Sequence, residues 1–356
     1  MSVKKIVVIP GDGIGTEITD TAQRVLDTVA KKSNLNLEFQ NAFAGGAAID
    51  VYGVPLPEET LSAVRACDAV LLGAVGGPKW DKVSPDIRPE KAILGLRKAL
   101  GLYANLRPIR VSEVLTDYSP LKNEIVAGVD VLIVRELTGG IYFGDKCESE
   151  TVNGVEQAWD REIYTVPEIT RIVRVACEAA AKRRGQVTSV DKANVLASSR
   201  LWRRVVDQAV KEYAGIEVSH MYVDNCAMQM VLAPKKFDVI VTSNLFGDIL
   251  SDEAAVITGS IGMLPSASIG DGPSLYEPIH GSAPDIAGQG LANPIGTILS
   301  AAMLLRFSLN EEAAATRIEQ AVDQVLAQGY RTADLYRDGL TKVSTEEMGR
   351  LVEKYI

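Results

Sequence analysis

Residues 5–31 read KIVVIPGDGIGTEITDTAQRVLDTVAK, and the first decision about the fold rests on them. Four β-formers, Ile6 to Ile9, precede Pro10 and predict a strand over Lys5–Pro10. Gly11-Asp12-Gly13-Ile14-Gly15 then turns the chain, and apolar residues at helical spacing predict a helix over Ile14–Lys31. A strand, a glycine-rich turn and a helix invite comparison with the dinucleotide-binding fingerprint. The last glycine of that fingerprint is replaced by Thr16, so the turn reads either as a cofactor loop or as tight backbone geometry alone.

The alternation continues outward. Strands are predicted over Asn36–Asn41, Ala69–Leu72, Val129–Val134, Gln186–Val190, Glu217–Tyr222 and Phe237–Val241. Helices are predicted over Glu58–Ala66, Glu90–Leu100, Pro167–Arg184, Ser198–Tyr213 and Leu245–Ile257. Such alternation means an α/β protein whose sheet is covered by helices on both faces. The C-terminal third is predicted to be mostly helical, over Pro294–Phe307, Glu311–Gln328 and Thr345–Tyr355. Ile141–Thr165 breaks the pattern with charge, β-formers and a central Asn153-Gly154, a strong hairpin signal. A lone hairpin is marginal in water, so Val152, Val155 and Trp159 pack either outside their own domain or on its core.

Composition narrows the function. The 356 residues are 47% hydrophobic and 23% charged, an ordinary globular balance with room for about two domains. Lys and Arg number 37 against 46 Asp and Glu, a net charge of −9 that argues against general nucleic-acid binding. No apolar run approaches the roughly 20 residues that span a bilayer, and the first apolar run is too short for a secretory signal. A cytoplasmic protein is therefore expected. The four cysteines have no C-x-x-C spacing and are expected to be reduced, and two histidines cannot build a His-rich zinc site. Any metal should be held by oxygen.

Five groups of residues could carry chemistry. The glycine turn is the first. In the second, Asn244 to Glu253 (NLFGDILSDE), Asp248 and Asp252 stand one helical turn apart on one face. A divalent cation would relieve their repulsion, while a helix N-terminus would also favour acids there. Asp224 adds a third acid at the end of a predicted strand. Third, Arg97, Arg107 and Arg135 could bind a di- or tricarboxylate through their forks or serve as salt-bridge partners, and Arg135 follows a buried-looking VLIV run. Fourth, Lys192 could act as a base and Tyr142 as a proton donor, or both could be surface side chains. Fifth, EPIHGSAPDI (277–286) followed by Asn293-Pro294 forms a loop able to surround an anion or nucleotide, or an ordinary turn before a helix.

Taken together, GDGIGTE, NLFGDILSD and EPIHGSAPDIAG resemble the β-decarboxylating dehydrogenases, the family of isopropylmalate and isocitrate dehydrogenases. The resemblance implies the isopropylmalate dehydrogenase-like two-domain α/β fold, which is not a true Rossmann fold. Its first domain would comprise residues 1–102 and 257–356 and carry the cofactor. The second, 103–256, would carry metal, substrate and dimer contacts, with an arm hairpin at about 141–165. By the same resemblance Arg97, Arg107 and Arg135 hold malate carboxylates, and Asp248 and Asp252 bind Mg²⁺ or Mn²⁺ with Asp224 of a partner subunit. The partner's Lys192 takes the C2 hydroxyl proton, and Tyr142 protonates the enolate. His280, Gly281, Ser282, Ala283, Asp285 and Asn293 meet NAD, with Asp285-Ile286 where NADP-specific relatives place Lys-Tyr. Glu90, Ile93 and Leu94, with Val195 of the partner, favour an isopropyl group over a third carboxylate. The implied reaction is oxidative decarboxylation of 3-isopropylmalate in leucine biosynthesis by a homodimer with shared active sites. Isocitrate, homoisocitrate, tartrate or D-malate dehydrogenases, or a non-catalytic regulatory subunit, are the alternatives.

Overall fold

The computed structural model describes residues 3–356. In chain order its main elements begin with β1 (Lys4–Gly11), α1 (Gly15–Ser33), β2 (Leu37–Asn41), α2 (Gly46–Tyr52), α3 (Glu58–Arg65), β3 (Ala69–Ala74) and α4 (Glu90–Ala99). β4 (Leu102–Arg110), α5 (Asn123–Val126), β5 (Asp130–Glu136), β6 (Lys146–Val152), β7 (Val155–Asp160), α6 (Val166–Ala181), β8 (Gln186–Asp191) and α7 (Ala197–Ala209) follow. The chain continues through β9 (Glu217–Tyr222), α8 (Val223–Leu232), β10 (Val239–Thr242), α9 (Asn244–Ile257), β11 (Pro265–Gly270) and β12 (Ser274–Pro278). It closes with α10 (Ile295–Phe307), α11 (Glu312–Ala327) and α12 (Thr345–Tyr355).

These elements form two compact units. Unit 1 contains Met1–Leu102, Ser112–Tyr118 and Thr258–Ile356, and unit 2 contains Tyr103–Val111 and Ser119–Ile257. In unit 1 the strands run in the order β2-β1-β3-β12-β11, parallel except where β12 meets β11. Val7, Ile9, Val70 and Leu72 pack on one face against Val64, Ala92 and Leu96 of α3 and α4. The intervening Ile6, Val8 and Leu71 are also buried, so both faces of these strands are covered, as their unbroken apolar runs require. The two strands β11 and β12 lie in a stretch of the mostly helical C-terminal third for which no element is predicted. Their sequences, PSASIG and SLYEP, are short and rich in small residues and proline, which hides them from a hydrophobic-pattern reading.

In unit 2 the order is β4-β5-β10-β8-β9, with β5, β10, β8 and β9 parallel and β4 antiparallel to β5. Parallel strands point their C-terminal ends the same way, and that end collects ligand-binding residues in open α/β sheets. Arg135 lies opposite Thr242, Thr242 opposite Val190, and Asp191 opposite Tyr222. The residues that follow therefore emerge at one edge: Lys192 after β8, Asp224 after β9 and Asn244 after β10. β6 and β7 form a separate hairpin. Asn153 and Gly154 take φ of 54° and 79°, the geometry a tight hairpin turn demands. Its Val152, Val155 and Trp159 are exposed and lie on no core of this chain.

Candidate active site

The site in unit 2 follows from strand register. Successive side chains alternate across a strand, so Asn105 and Arg107 of β4 share a face. Asn105 lies directly opposite Arg135 of β5, which puts all three on that face. Helix α9 packs over β5 and brings the acids of NLFGDILSD onto the arginines. The glycine in that motif has a steric reason. A Cβ on Gly247 would stand 2.6 Å from Cγ and 2.8 Å from Cβ of Arg135, so only glycine lets the helix ride over the arginine stem.

The arginines are buried and heavily bonded. Arg135 is 3% exposed; its Nε and Nη2 donate to Asn244 Oδ1 at 3.1 and 2.9 Å, and its Nη1 donates to Asp248 Oδ1. Arg107 donates from Nε to Asn105 Oδ1 at 2.8 Å and from Nη1 to Ser251 Oγ at 2.7 Å and Asp252 Oδ1 at 3.1 Å. Its Nη2 lies 3.9 Å from Asp248 Oδ1. Both aspartates thus converge on the same guanidinium, yet their side chains stay 33% and 64% exposed and open to an incoming ligand. Tyr142 joins the cluster, its hydroxyl donating to Asp248 Oδ2 at 2.9 Å and its ring 6.0 Å from the Arg135 guanidinium. Partial burial, then the Asp248 carboxylate, pushes the Tyr142 phenol above its ordinary value, so it keeps its proton at neutral pH.

Lys192 and Asp224 form a second pair. Lys192 Nζ donates to Asp224 Oδ1 at 2.6 Å, and this contact pulls the Asp224 carboxyl below its usual range. Asp224 sits in the first turn of α8, an element absent from the predicted set that begins directly after β9. Val195, three residues beyond Lys192, is exposed. Among the described residues of one chain, no group of three or more His, Cys, Asp and Glu could hold a metal ion.

The remaining candidates belong to unit 1. Arg97 on α4 donates from Nη2 to Glu277 Oε1 at 3.4 Å, and its buried Nε has no partner among the described residues. Ile93 turns into the core and packs with Ala92 and Leu96, while Glu90 and Leu94 are exposed. In the loop after β12, His280 Nε2 is buried with no hydrogen-bond partner among the described residues, and burial holds the imidazole below its ordinary value. Ala283 takes φ of 37°. Asp285 is exposed, and Gln289 Nε2 donates to its backbone carbonyl at 2.7 Å. Asn293 is nearly buried, donating from Nδ2 to Asp334 Oδ2 at 3.0 Å and accepting from the Ile295 N–H at 3.0 Å.

The glycine turn supports this loop from below. The Ile14 N–H donates to Ser282 O at 2.9 Å, and a Cβ on Gly13 would lie 2.1 Å from that same oxygen. Asp12 is 4% exposed and accepts from the N–H groups of Gly46, Ala47 and Gly76 at 2.8, 2.7 and 2.8 Å. The turn carries its own anion, so it braces the backbone of unit 1 and offers no phosphate cradle of the dinucleotide type.

A sequence profile of the family described as isocitrate/isopropylmalate dehydrogenase matches residues 5–352. The chain belongs to this family. The 3-isopropylmalate dehydrogenase of Clostridium acetobutylicum is similar, 59% identical over 354 residues that cover 99% of each chain. That of Clostridium pasteurianum is 60% identical over 350 residues, 98% of each. The crystal structure of isocitrate dehydrogenase from Methylococcus capsulatus is similar at a TM-score of 0.86, with 37% identity and 99% of each chain covered. The isocitrate/isopropylmalate dehydrogenase architecture accounts for an α/β fold that fails the dinucleotide fingerprint at Thr16. Three residues of this family member that hold its arginines escape a reading by residue type: Asn105, Asn244 and Ser251. Two of them lie inside NLFGDILSD, and Asn105 stands two residues before Arg107, so spacing was the only available signal.

Proposed function

We propose that this chain oxidises and decarboxylates 3-isopropylmalate with NAD and a divalent cation, in leucine biosynthesis and in the cytoplasm. The observation that carries the reading is the convergence of two buried arginines, two half-open aspartates and a protonated tyrosine on one face of unit 2. Near-60% identity to proteins named for this reaction supports it. No helix among the described residues is long and apolar enough to cross a membrane.

Asp248 and Asp252 fit a hard cation, because both offer exposed carboxylate oxygens one helical turn apart. Asp224 of a partner subunit completes the set. Bound Mg²⁺ or Mn²⁺ supplies Lewis-acid polarisation of the substrate oxygens. Arg107 and Arg135, with Arg97, hold the substrate carboxylates and orient C2. The partner's Lys192 accepts the C2 hydroxyl proton as hydride leaves for the nicotinamide. Loss of CO₂ then leaves negative charge on the substrate, and Tyr142 donates the proton that quenches it. Its raised phenol suits a donor that must hold its proton until charge develops.

The loop from His280 to Asn293 fits NAD: the His280 Nε2 is a buried polar atom awaiting a partner, and the exposed Asp285 carboxylate matches ribose hydroxyls. Asp285 repels a 2′-phosphate, so Asp285→Lys with Ile286→Tyr shifts preference toward NADP. On α4, Leu94 is the free apolar surface for the isopropyl group, with Glu90 disfavouring a third carboxylate and Val195 coming from the partner. Ile93 backs that surface from the core. The test is NADH formation from 3-isopropylmalate with Mg²⁺ or Mn²⁺, run beside isocitrate, homoisocitrate, tartrate and D-malate. Faster turnover of any of those acids, or none at all, refutes the assignment.

A further inference from the structure

Asn244 opens α9 and is 1% exposed. We propose that Asn244 is a positioning residue that fixes the Arg135 guanidinium through a neutral acceptor, adding no second carboxylate to the pairing with Asp248, so that the arginine can still hold a substrate carboxylate. The inference rests on the function proposed above. A guanidinium can only donate, so the Asn244 atom facing Arg135 is the amide oxygen, and the amide nitrogen faces Gly139 O at 3.2 Å. The main-chain N–H of Asn244 donates to Tyr164 Oη at 2.8 Å. The amide therefore grips the Nε–Nη2 edge of the fork, while Nη1 turns to Asp248.

An aspartate has nearly the same shape and would grip that edge more strongly, as a charge-assisted pair. It would also set a second carboxylate beside Asp248 against Arg135, more negative charge than the one guanidinium balances, and would turn an acceptor toward the Gly139 carbonyl. A neutral amide gives the geometry alone. Gly139 precedes Tyr142 by three residues, so the same side chain ties the helix carrying Asp248 to the loop carrying the phenol.

The test compares Asn244→Asp and Asn244→Ser with the parent enzyme, using steady-state kinetics with 3-isopropylmalate, calorimetric binding of that acid, and thermal melting. A group that holds a carboxylate equally in ground and transition states acts on KM and leaves kcat in place. Losing the neutral acceptor in Asn244→Ser should raise KM about 10-fold. Asn244→Asp should raise it roughly 100-fold, with a melting temperature no lower than that of the Ser variant. Calorimetric affinity should fall in the same order, and KM for NAD should stay put. Parent-like KM in both variants, or a larger rise in Ser than in Asp, overturns the inference while the proposed function stands. If the Asp variant does not fold, the Ser variant decides: a KM rise with kcat within about twofold supports the role. Unchanged KM or a loss confined to kcat refutes it. A parent enzyme that neither binds nor oxidises 3-isopropylmalate defeats the proposed function, and this inference falls with it.

Discussion

Asp12 and Asp248 stand in motifs of similar look, GDGIG and FGD, each an acid beside glycine near the start of a helix. Their surroundings are opposite. Every hydrogen bond to the Asp12 carboxylate comes from a backbone N–H, and the side chain is sealed from solvent. Asp248 takes its bonds from the side chains of Arg135 and Tyr142 and remains one-third exposed. Backbone donors cannot leave without unfolding the loops that carry them, whereas side-chain donors can exchange for a substrate or a cation. An acid satisfied by main chain is architecture, and an acid satisfied by movable groups is available for chemistry.

That contrast predicts opposite phenotypes. Asp248→Asn should lower kcat/KM by about 10²–10³-fold, because it removes charge where the transition state needs it, and should barely move the urea midpoint. Exhaustive chelation should silence the parent enzyme, and Mg²⁺ or Mn²⁺ should restore it; full turnover in metal-free buffer would erase the difference between the two aspartates. Asp12→Ala should do the reverse. It strands three amides and should cost about 2–5 kcal/mol of stability by denaturant titration, while the molecules that still fold keep most of their kcat. An Asp12 variant of normal stability and no activity would make the turn a functional site after all.

The two glycines sharpen the comparison. Gly247→Ala pushes a methyl into the Arg135 stem and should cost about 1–3 kcal/mol, with a rise in KM for the acid. Gly13→Ala meets main-chain oxygen at positive φ and should cost at least as much, with its kinetic effect on NAD instead. The smallest expected effect belongs to His280. Burial holds its folded value below the ordinary imidazole value of about 6.5, so the unfolded chain binds its proton first as pH falls. Its contribution is complete above about pH 6.5 and is lost as the pH drops toward the depressed folded value. Between about pH 7 and 5.5 the parent should lose more melting temperature than His280→Gln, and equal losses would show that the ring is not kept neutral.

Legibility in the sequence followed the physics of each element. The strands β1, β3, β5 and β10 carry continuous apolar runs buried on both faces, and these are found with ends shifted by a residue or two. β4 is not: LYANLRPIR mixes Asn, two Arg and a Pro, since one of its two buried faces carries Asn105 and Arg107. The strand that carries Arg107 was therefore hidden by the chemistry it delivers. Asp248 and Asp252 stand out as a pair by their i, i+4 spacing, which alone leaves a cation site and a dipole-favoured helix start equally open. Asn244 as the partner of Arg135 does not stand out, because that contact depends on the register between β5 and β10 and on where α9 lands. Ile93 and Leu94 are neighbours in sequence, yet only packing shows that Ile93 is half-buried against the core and Leu94 exposed.

The claim that unit 2 supplies half a site, completed by Lys192 and Asp224 of a second copy, has a direct test. Lys192→Ala and Asp248→Asn, each inactive, are unfolded together in equal amounts and refolded, and mass spectrometry verifies the mixed dimer. One site of each heterodimer inherits both defects, and the other receives an intact Asp248 from one chain and an intact Lys192 from its partner. Random pairing makes half the dimers mixed, so roughly a quarter of parental activity should return. Activity no higher than that of the separate variants, with mixed dimers present, would mean that Lys192 serves its own chain and would contradict the shared site.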